Sequence, residues 1–327
     1  MDDISSIHQE FQRLFSDIHS SDTFPENRPL LAHYTSIATL ECIMKNDEMW
    51  LSNPLLMNDF QELRFGIIEA ARAFRLHDGI RAACGGGENS NYQTLLSIFE
   101  EKLAKVSSED SFDTYLVCFS EHQRNNKNSD GLLSMWRGYG ANGTGAAIVF
   151  DTEKITALEE SPLILGKVKY ASTNDRLQWI TEKLNQFADL LKELNLSPDK
   201  FYIAIHVLLE RFKLFSLFTK HDGFEEEQEW RLVYLKDRDR SGKLEGMLDY
   251  AIGQNGIEPK LKLKIGPVEG IMGGPLSLRS IVSQIILGPS ISNVLTLMTV
   301  KRMLRKLEKD ELAERVVMST TPFRATT

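Results

Sequence analysis

The chain has 327 residues, of which 42% are hydrophobic and 26% charged, a composition typical of a globular protein and not of a disordered one. Its formal net charge of -8 argues against nonspecific binding to nucleic acid, because a polyanion is repelled at long range. Three widely spaced cysteines, an acidic N-terminus and the lack of an apolar run of about 18 residues argue against disulfides, a secretory signal and a membrane span, so we expect a soluble, cytoplasmic protein.

The first half of the chain is predicted to mix helices with short strands. Apolar residues at three- and four-residue steps predict an amphipathic helix over residues 4–18. A strand at 30–35 precedes a helix at 37–45, for which Ser36 is the predicted N-cap. A short strand at 49–52 ends before a proline, which cannot donate to a sheet ladder. Further predicted elements are helices at 59–74, 92–105 and 132–137, a glycine-rich loop at 84–91, and strands at 115–120 and 146–150.

The second half predicts a long helical segment between strands. The predicted elements are a strand at 164–170, helices at 175–194 and 198–219, strands at 230–235 and 281–287, and a helix at 293–307. No Gly/Ser-rich or Pro-rich linker separates the segments, so we predict one α+β domain with an inserted helical lobe. Its parts are a helical arm (1–29), a first part of the core (30–170), the helical insertion (171–220), a second part of the core with a C-terminal helix (221–310) and a tail (311–327).

Three features of the sequence each have two possible interpretations. The segment 138–143 matches G-x-G-x-x-G, but it follows a predicted helix and precedes a strand, which favours a glycine turn over a dinucleotide fingerprint. Two groups of basic residues, Arg124 with Lys127 and the cluster at 301–306, each fit either a solvated surface or a local anion site. No two histidines have metal-ligand spacing, so no metal site is predicted. His33, next to a capped helix start, fits either a core position or a cleft.

Acidic residues crowd the start of the strand at 230–235. The run 225–229 reads EEEQE, and the two-residue period of a strand would put Glu227, Glu229 and Arg231 on one face. One interpretation is a solvated loop. The other is a pair of carboxylates that meets a substrate, in which one carboxylate raises the pKa of the other.

Six blocks carry a resemblance to a known family. They are 31–35 (LAHYT), 51–54 (LSNP) with 58–62 (NDFQE), 118–121 (CFSE), 135–140 (MWRGYG), 229–233 (EWRLV) and 285–289 (IILGP). In this order they resemble a bacterial family of unknown function that is similar to the mono-ADP-ribosyltransferases. The resemblance implies an ADP-ribosyltransferase-like core of small antiparallel sheets, which hold NAD in a cleft between them.

The resemblance also implies a set of site residues. His33 and Thr35 match the His-x-Thr-like first strand of such enzymes. Glu229 matches the glutamate that opens a late strand, and Glu227 corresponds to the first residue of the Glu-x-Glu pair in the arginine-directed branch. The aromatic or hydroxyl element in the middle has several matches, between which the sequence does not choose. They are Tyr34, Ser52, Trp136 and Tyr139.

These residues imply a mechanism and leave alternatives. Glu229 would stabilise the oxocarbenium charge that develops on the ribose, and Arg137 would pair with the pyrophosphate by a bidentate fork. The turn Ser52–Asn53 would lie in the same cleft as His33. The leading hypothesis is therefore an NAD-dependent ADP-ribosyltransferase-like enzyme, of the kind that serves as an intracellular toxin or phage-defence effector, with an acceptor that the sequence does not reveal.

Two other function classes fit the same residues. One is a non-catalytic nucleotide-sensing or interaction module, because the middle element of the site is not clear. The other is a nuclease or hydrolase that uses Glu227, Glu229 and a divalent ion, since Mg²⁺ prefers oxygen ligands.

Overall fold

A computed structural model of the chain describes residues 2–57, 60–85, 91–106, 113–123, 129–156, 161–253 and 256–323. Several sequence-based assignments lie partly or wholly outside these ranges, including the first residue of the helix predicted at 59–74 and the end of the tail at 311–327. Three others concern candidate sites or loops. They are the resemblance block at 58–62, the glycine-rich loop at 84–91, and Arg124 with Lys127.

The described residues form helices and short strands. The helices are α1 (Asp2–Phe11), α2 (Ile37–Asn46), α3 (Phe60–Arg75), α4 (Asp78–Ala83), α5 (Asn91–Lys105), α6 (Leu133–Gly138), α7 (Thr173–Leu194), α8 (Phe201–Phe218), α9 (Leu278–Ile281), α10 (Val294–Lys306) and α11 (Asp310–Glu314). The strands are β1 (Leu30–Thr35), β2 (Glu48–Ser52), β3 (Thr114–His122), β4 (Ala146–Asp151), β5 (Leu163–Lys167), β6 (Lys169–Ala171), β7 (Thr219–His221), β8 (Glu229–Leu235), β9 (Leu248–Gly253), β10 (Gly256–Lys264), β11 (Val282–Leu287) and β12 (Val316–Met318).

The predicted α+β class is confirmed, and most predicted elements occur with ends shifted by one to three residues. Ser36 caps α2 as predicted, because its Oγ accepts a hydrogen bond from Thr39 N at 3.1 Å. Two predictions were wrong in detail. The first helix ends at Phe11 and continues as a 3₁₀ turn, and the strand predicted at 164–170 is divided into β5 and β6, which belong to different sheets.

The chain has two compact units, of which the first is mainly helical. This helical unit comprises Met1–His19, Pro54–Asp113 and Lys169–Phe224. Its longest helix, α7, is capped by Ser172, whose Oγ accepts from Asp175 N. The next helix, α8, is buried on most of its circumference, which is the pattern of a central core helix. The aromatic centre of this core includes Phe74 and Phe99, stacked with ring centroids 3.8 Å apart.

The second unit, the sheet unit, comprises Ser20–Asn53, Thr114–Val168 and Glu225–Thr327. Among the described residues, ten strands form one sheet. Its central strands follow the order β5-β8-β3-β1-β4-β11, and each neighbouring pair is antiparallel. Strand β8, which carries Glu229, pairs with one side of β3, and β1 pairs with the other side. The sheet therefore brings three of the resemblance blocks onto adjacent strands.

Strands β1 and β2 diverge from the same edge of β3. Ala32 of β1 is the Cα partner of Ser120, whereas Ser52 of β2 is the partner of Leu116. Cys118 lies between these two pairings, at the point where the two neighbouring strands separate. The sheet thus has a fork at the middle of β3.

Alternate residues of β1 face two different cores. Leu31 belongs to the larger core of the sheet unit, whereas Ala32 and Tyr34 belong to a smaller core beneath α6. Because side chains alternate along a strand, His33 and Thr35 face the same side as Leu31. This alternation decides which site residues can meet.

The glycine turn predicted at 138–143 is confirmed. Helix α6 ends at Gly138, and the turn leads into β4 at Ala146. A Cβ on Gly145 would lie 2.1 Å from the carbonyl oxygen of Thr35, so only glycine permits this approach of the turn to β1. Gly143 has a φ of 80°, which also favours glycine.

Candidate functional site

The start of β8 is a sharp bend in the chain. Glu227 ends a 3₁₀ helix, Gln228 has a left-handed φ of 46°, and the strand begins at Glu229. Ser120 Oγ donates to the backbone oxygen of Glu227 at 2.7 Å, which holds the bend against β3. The prediction that Glu227 shares a strand face with Glu229 is therefore wrong, because a 3₁₀ turn and a left-handed residue interrupt the two-residue period.

Glu229 and Arg231 do share a strand face, as predicted, and they form a buried ion pair. Arg231 Nε lies 2.7 Å from Glu229 Oε1, and Nη2 lies 3.1 Å from Oε2. Glu229 is 3% exposed. A two-point, charge-assisted contact of this kind fixes both side chains and neutralises both charges. Both carboxylate oxygens of Glu229 are thus already engaged.

Glu227 and Tyr139 form a second, more accessible contact at the same bend. The Tyr139 hydroxyl donates to Glu227 Oε1 at 3.1 Å. Tyr139 follows directly after α6, and 43% of its surface is exposed. An open aromatic face and a carboxylate therefore lie side by side at the start of β8.

Gln228 adds a polar atom to this bend. Its Oε1 is buried and has no hydrogen-bond partner among the residues that the structure describes. Buried acceptors are nearly always paired in folded proteins. Such an atom, between Glu227 and Glu229 in the chain, is suited to accept from an amide or hydroxyl group of a ligand.

The other two aromatic candidates, Tyr34 and Trp136, belong to the core beneath α6. Their rings pack edge to face with centroids 4.9 Å apart, and Trp136 Nε1 donates to Asp130 O at 3.0 Å. The Tyr34 hydroxyl accepts from Leu132 N at 2.9 Å, and burial raises the pKa of Tyr34 to about 12. Neither ring offers an open face to a ligand.

His33 occupies the fork of the sheet. Its Nδ1 lies 3.1 Å from Cys118 O, and because a carbonyl oxygen only accepts, Nδ1 carries the proton. Burial lowers the pKa of His33, and the hydrogen bond to Cys118 O opposes this shift. The ring packs edge to face with Phe119 at 5.9 Å. His33 thereby satisfies a backbone oxygen of β3 where β1 and β2 separate.

The strand register separates His33 and Thr35 from Glu229. Ser120 is the Cα partner of both Ala32 and Glu229, so these three side chains share one face of the sheet. His33 and Thr35 extend to the other face. The structure therefore does not bring their side chains together with Glu229.

The remaining candidates are at three different places in the sheet unit. Ser52 Oγ accepts from Lys260 Nζ at 2.8 Å. Asn53 is buried, and its Nδ2 donates to Thr114 O at 3.1 Å, which is a structural role. Arg137 is exposed, and its guanidinium carbon lies 5.2 Å from the ring centroid of Phe323.

Three residues at or near the candidate site were not predicted from the sequence: Ser120, Gln228 and Lys260. Ser120 lies in one of the resemblance blocks and Gln228 lies within the acidic run, so the sequence contained a pattern that could have indicated each of them. For Lys260 the only such pattern was the alternation of side chains along its strand. None of the three could be assigned to a partner, because their neighbours come from distant parts of the chain.

Two kinds of feature are absent from the described residues, a cluster of metal-binding side chains and a helix that could span a membrane. No group of three or more His, Cys, Asp or Glu side chains in this part of the chain could hold a metal ion. No helix there has the length and apolar character that a membrane crossing requires.

Comparison with known proteins matches part of the chain to a protein family. A family model described as "Protein of unknown function (DUF2971)" matches residues 135–232. The matched segment runs from α6 into β8 and contains Tyr139, Glu227, Glu229 and Arg231. The resemblance to a family of unknown function is thereby confirmed over this segment. No curated protein and no solved structure matches the chain.

Proposed function

We propose that the sheet unit binds NAD and is an ADP-ribosyltransferase-like enzyme, with its reactive carboxylate at the start of β8. The observation that carries the proposal is the pair of Tyr139 and Glu227, an open aromatic ring in hydrogen-bond contact with an accessible carboxylate. These are the two groups that a nicotinamide riboside requires, one for the ring and one for the sugar.

The chemistry assigns different roles to the two glutamates. Cleavage of the bond between nicotinamide and ribose develops positive charge on the sugar, which a nearby carboxylate stabilises. Glu227 is half-buried and its contact with Tyr139 lies at the surface, whereas Glu229 is buried against Arg231. We therefore propose Glu227 as the catalytic residue and Glu229 as a positioning residue. The backbone oxygen of Glu229 accepts from Val168 N at 2.9 Å, which also fixes the start of β8.

The neighbouring residues support this assignment. Gln228 Oε1 is a buried acceptor that suits the carboxamide or a ribose hydroxyl. Arg137 is exposed, so its guanidinium is the cation that we propose for the pyrophosphate. The proposal does not include His33 and Thr35, because they face the other side of the sheet from Glu229.

The test is NAD cleavage by three purified proteins. We expect the wild-type chain to release nicotinamide from labelled NAD, and Glu227→Gln to lower the rate by about 100-fold, since one transition-state contact of this kind is worth that much. The matched control is Glu226→Gln, which removes an exposed carboxylate one residue away and should leave the rate unchanged. Equal rates in all three proteins, or no release by the wild type, would contradict the proposal.

A specific observation favours a second function, a nucleotide-sensing module without catalysis. The carboxylate that matches the ribose-face glutamate by sequence, Glu229, is occupied by Arg231. Titration calorimetry separates the two functions. A sensor binds NAD without consuming it, and Tyr139→Ala weakens that binding by about 10-fold because a stacking contact is lost.

A further inference from the structure

The hairpin of β9 and β10 has one apolar face and one charged face. Cross-strand partners on the first face are Leu248 with Leu261, Tyr250 with Pro259, and Ile252 with Ile257. Every side chain on this face is apolar or aromatic.

The opposite face carries charges that are already paired. Lys262 Nζ lies 2.7 Å from Asp249 Oδ2, and Lys260 Nζ lies 2.8 Å from Glu258 Oε2. A two-faced strand pair of this kind is the pattern of a layer that is packed on one side and solvated on the other.

Only the base of the apolar face is covered. Leu261 is fully buried in the larger core of the sheet unit. Towards the tip, Tyr250, Ile252 and Ile257 expose 62%, 92% and 71% of their surfaces. Contiguous apolar patches of a few hundred Å² on a soluble protein mark interaction sites. The apolar face that is buried at Leu261 therefore extends along the hairpin to Tyr250, Ile252 and Ile257, which no described residue covers.

We propose that this face binds the same face of a second copy of the chain, as a two-fold symmetric dimer. The face has no charge of either sign, so it offers nothing to an acidic or basic partner, to nucleic acid or to lipid headgroups. An identical uncharged face is complementary to it. Two-fold contacts between equal surfaces are also the commonest way in which soluble chains associate.

The size of the patch sets the expected strength. Three largely exposed side chains give several hundred Å², roughly half of the ~800 Å² that each partner buries in a standard interface. The dimer is therefore expected to be weak, with a dissociation constant on the order of micromolar. Association should depend on protein concentration in this range.

The experiment is sedimentation velocity of the full chain over about 1 to 200 µM. We expect the wild type to shift from monomer to dimer across this range. Ile252→Lys/Ile257→Lys and Ile252→Glu/Ile257→Glu should each stay monomeric, because like charges would face each other. An equimolar mixture of the two variants should recover the dimer, because opposite charges then meet.

The matched control is Leu295→Lys, an exposed aliphatic residue of α10 in the same unit, which should leave dimerisation unchanged. The three changed positions, Ile252, Ile257 and Leu295, are all solvent-exposed, and near-ultraviolet circular dichroism checks that each variant is folded. A wild type that stays monomeric, charged variants that still dimerise, or a monomer that instead sediments with phosphatidylcholine vesicles would overturn the proposal.

Discussion

The Glu229–Arg231 pair shows what a single buried contact does at the start of β8. Glu229→Gln leaves the Arg231 charge buried without its carboxylate, so we expect the free energy of unfolding to fall by about 3 kcal/mol. Urea denaturation at pH 7 measures this change. The control is Glu314→Gln, which removes an exposed partner of Arg305 and should have no measurable effect.

The same pair explains how the activity test must be designed. Glu229→Gln would lower activity simply by destabilising the fold, whereas Glu227 is accessible and its removal leaves the buried pair intact. The double variant Glu229→Gln/Arg231→Met measures how much the two side chains stabilise each other. We expect its loss of unfolding free energy to be smaller than the sum of the losses in the two single variants. Additive losses would mean that the two side chains do not stabilise each other.

Among the elements, the fork between β1 and β2 depends on the protonation state of His33. Because burial lowers the pKa of His33 below its ordinary value of 6.5, the unfolded chain binds the proton more readily. The stability that neutral His33 contributes is thus present above about pH 6.5 and is lost as the pH falls below it. We expect His33→Asn, whose amide keeps a donor for Cys118 O, to lose less stability than the wild type between pH 7.5 and 5.

Denaturation midpoints of both proteins at each pH provide the measurement. All other residues are the same in both proteins, so the difference between the two curves isolates His33. Parallel curves would mean that His33 is not buried in the neutral form. His8→Asn is the matched control, because it makes the same substitution at an exposed position of α1 and should leave the denaturation midpoint at pH 7.5 unchanged.

The elements that the sequence predicted are those with a local signal. Strand β8 follows from its β-branched and aromatic run, and α2 follows from its Ser36 cap. The β9–β10 hairpin was not predicted, although Leu248, Tyr250 and Ile252 alternate with polar or small residues. Gly253, Gly256 and Pro259 weaken the strand pattern in the sequence. Pairing with β2 supplies stability that this pattern does not indicate.

The sequence predicted which residues belong to the candidate site but not how their side chains are arranged. Glu227, Glu229 and Tyr139 stand in blocks that the sequence marks. Which glutamate is buried depends on Arg231 and on the left-handed residue Gln228, and the side on which His33 lies depends on the strand register. Register is set by pairing between distant segments, which a single sequence does not encode in any local pattern.

On the scale of the whole molecule, the helical unit is stabilised by a buried cluster around Asp17. Its carboxylate lies 2.9 Å from both Lys183 Nζ and Arg211 Nη2, and Trp179 Nε1 donates to it at 2.7 Å. Burial alone would raise the pKa of Asp17, but the hydrogen bonds from Lys183 and Trp179 and the charge of Arg211 lower it to about 2. This contribution to stability is thus present above about pH 4 and is lost as the pH falls towards 2.

Asp17→Asn tests whether the helical unit and the sheet unit unfold separately. The substitution leaves Lys183 and Arg211 buried without a carboxylate, so the helical unit should lose about 2 to 3 kcal/mol at pH 7. The sheet unit has its own cores, which contain none of these residues. Native-state hydrogen exchange should therefore speed up in α7 and α8 and stay unchanged in β1, β3 and β8. An equal increase in both sets would contradict this expectation, because the chain would then unfold as one cooperative body.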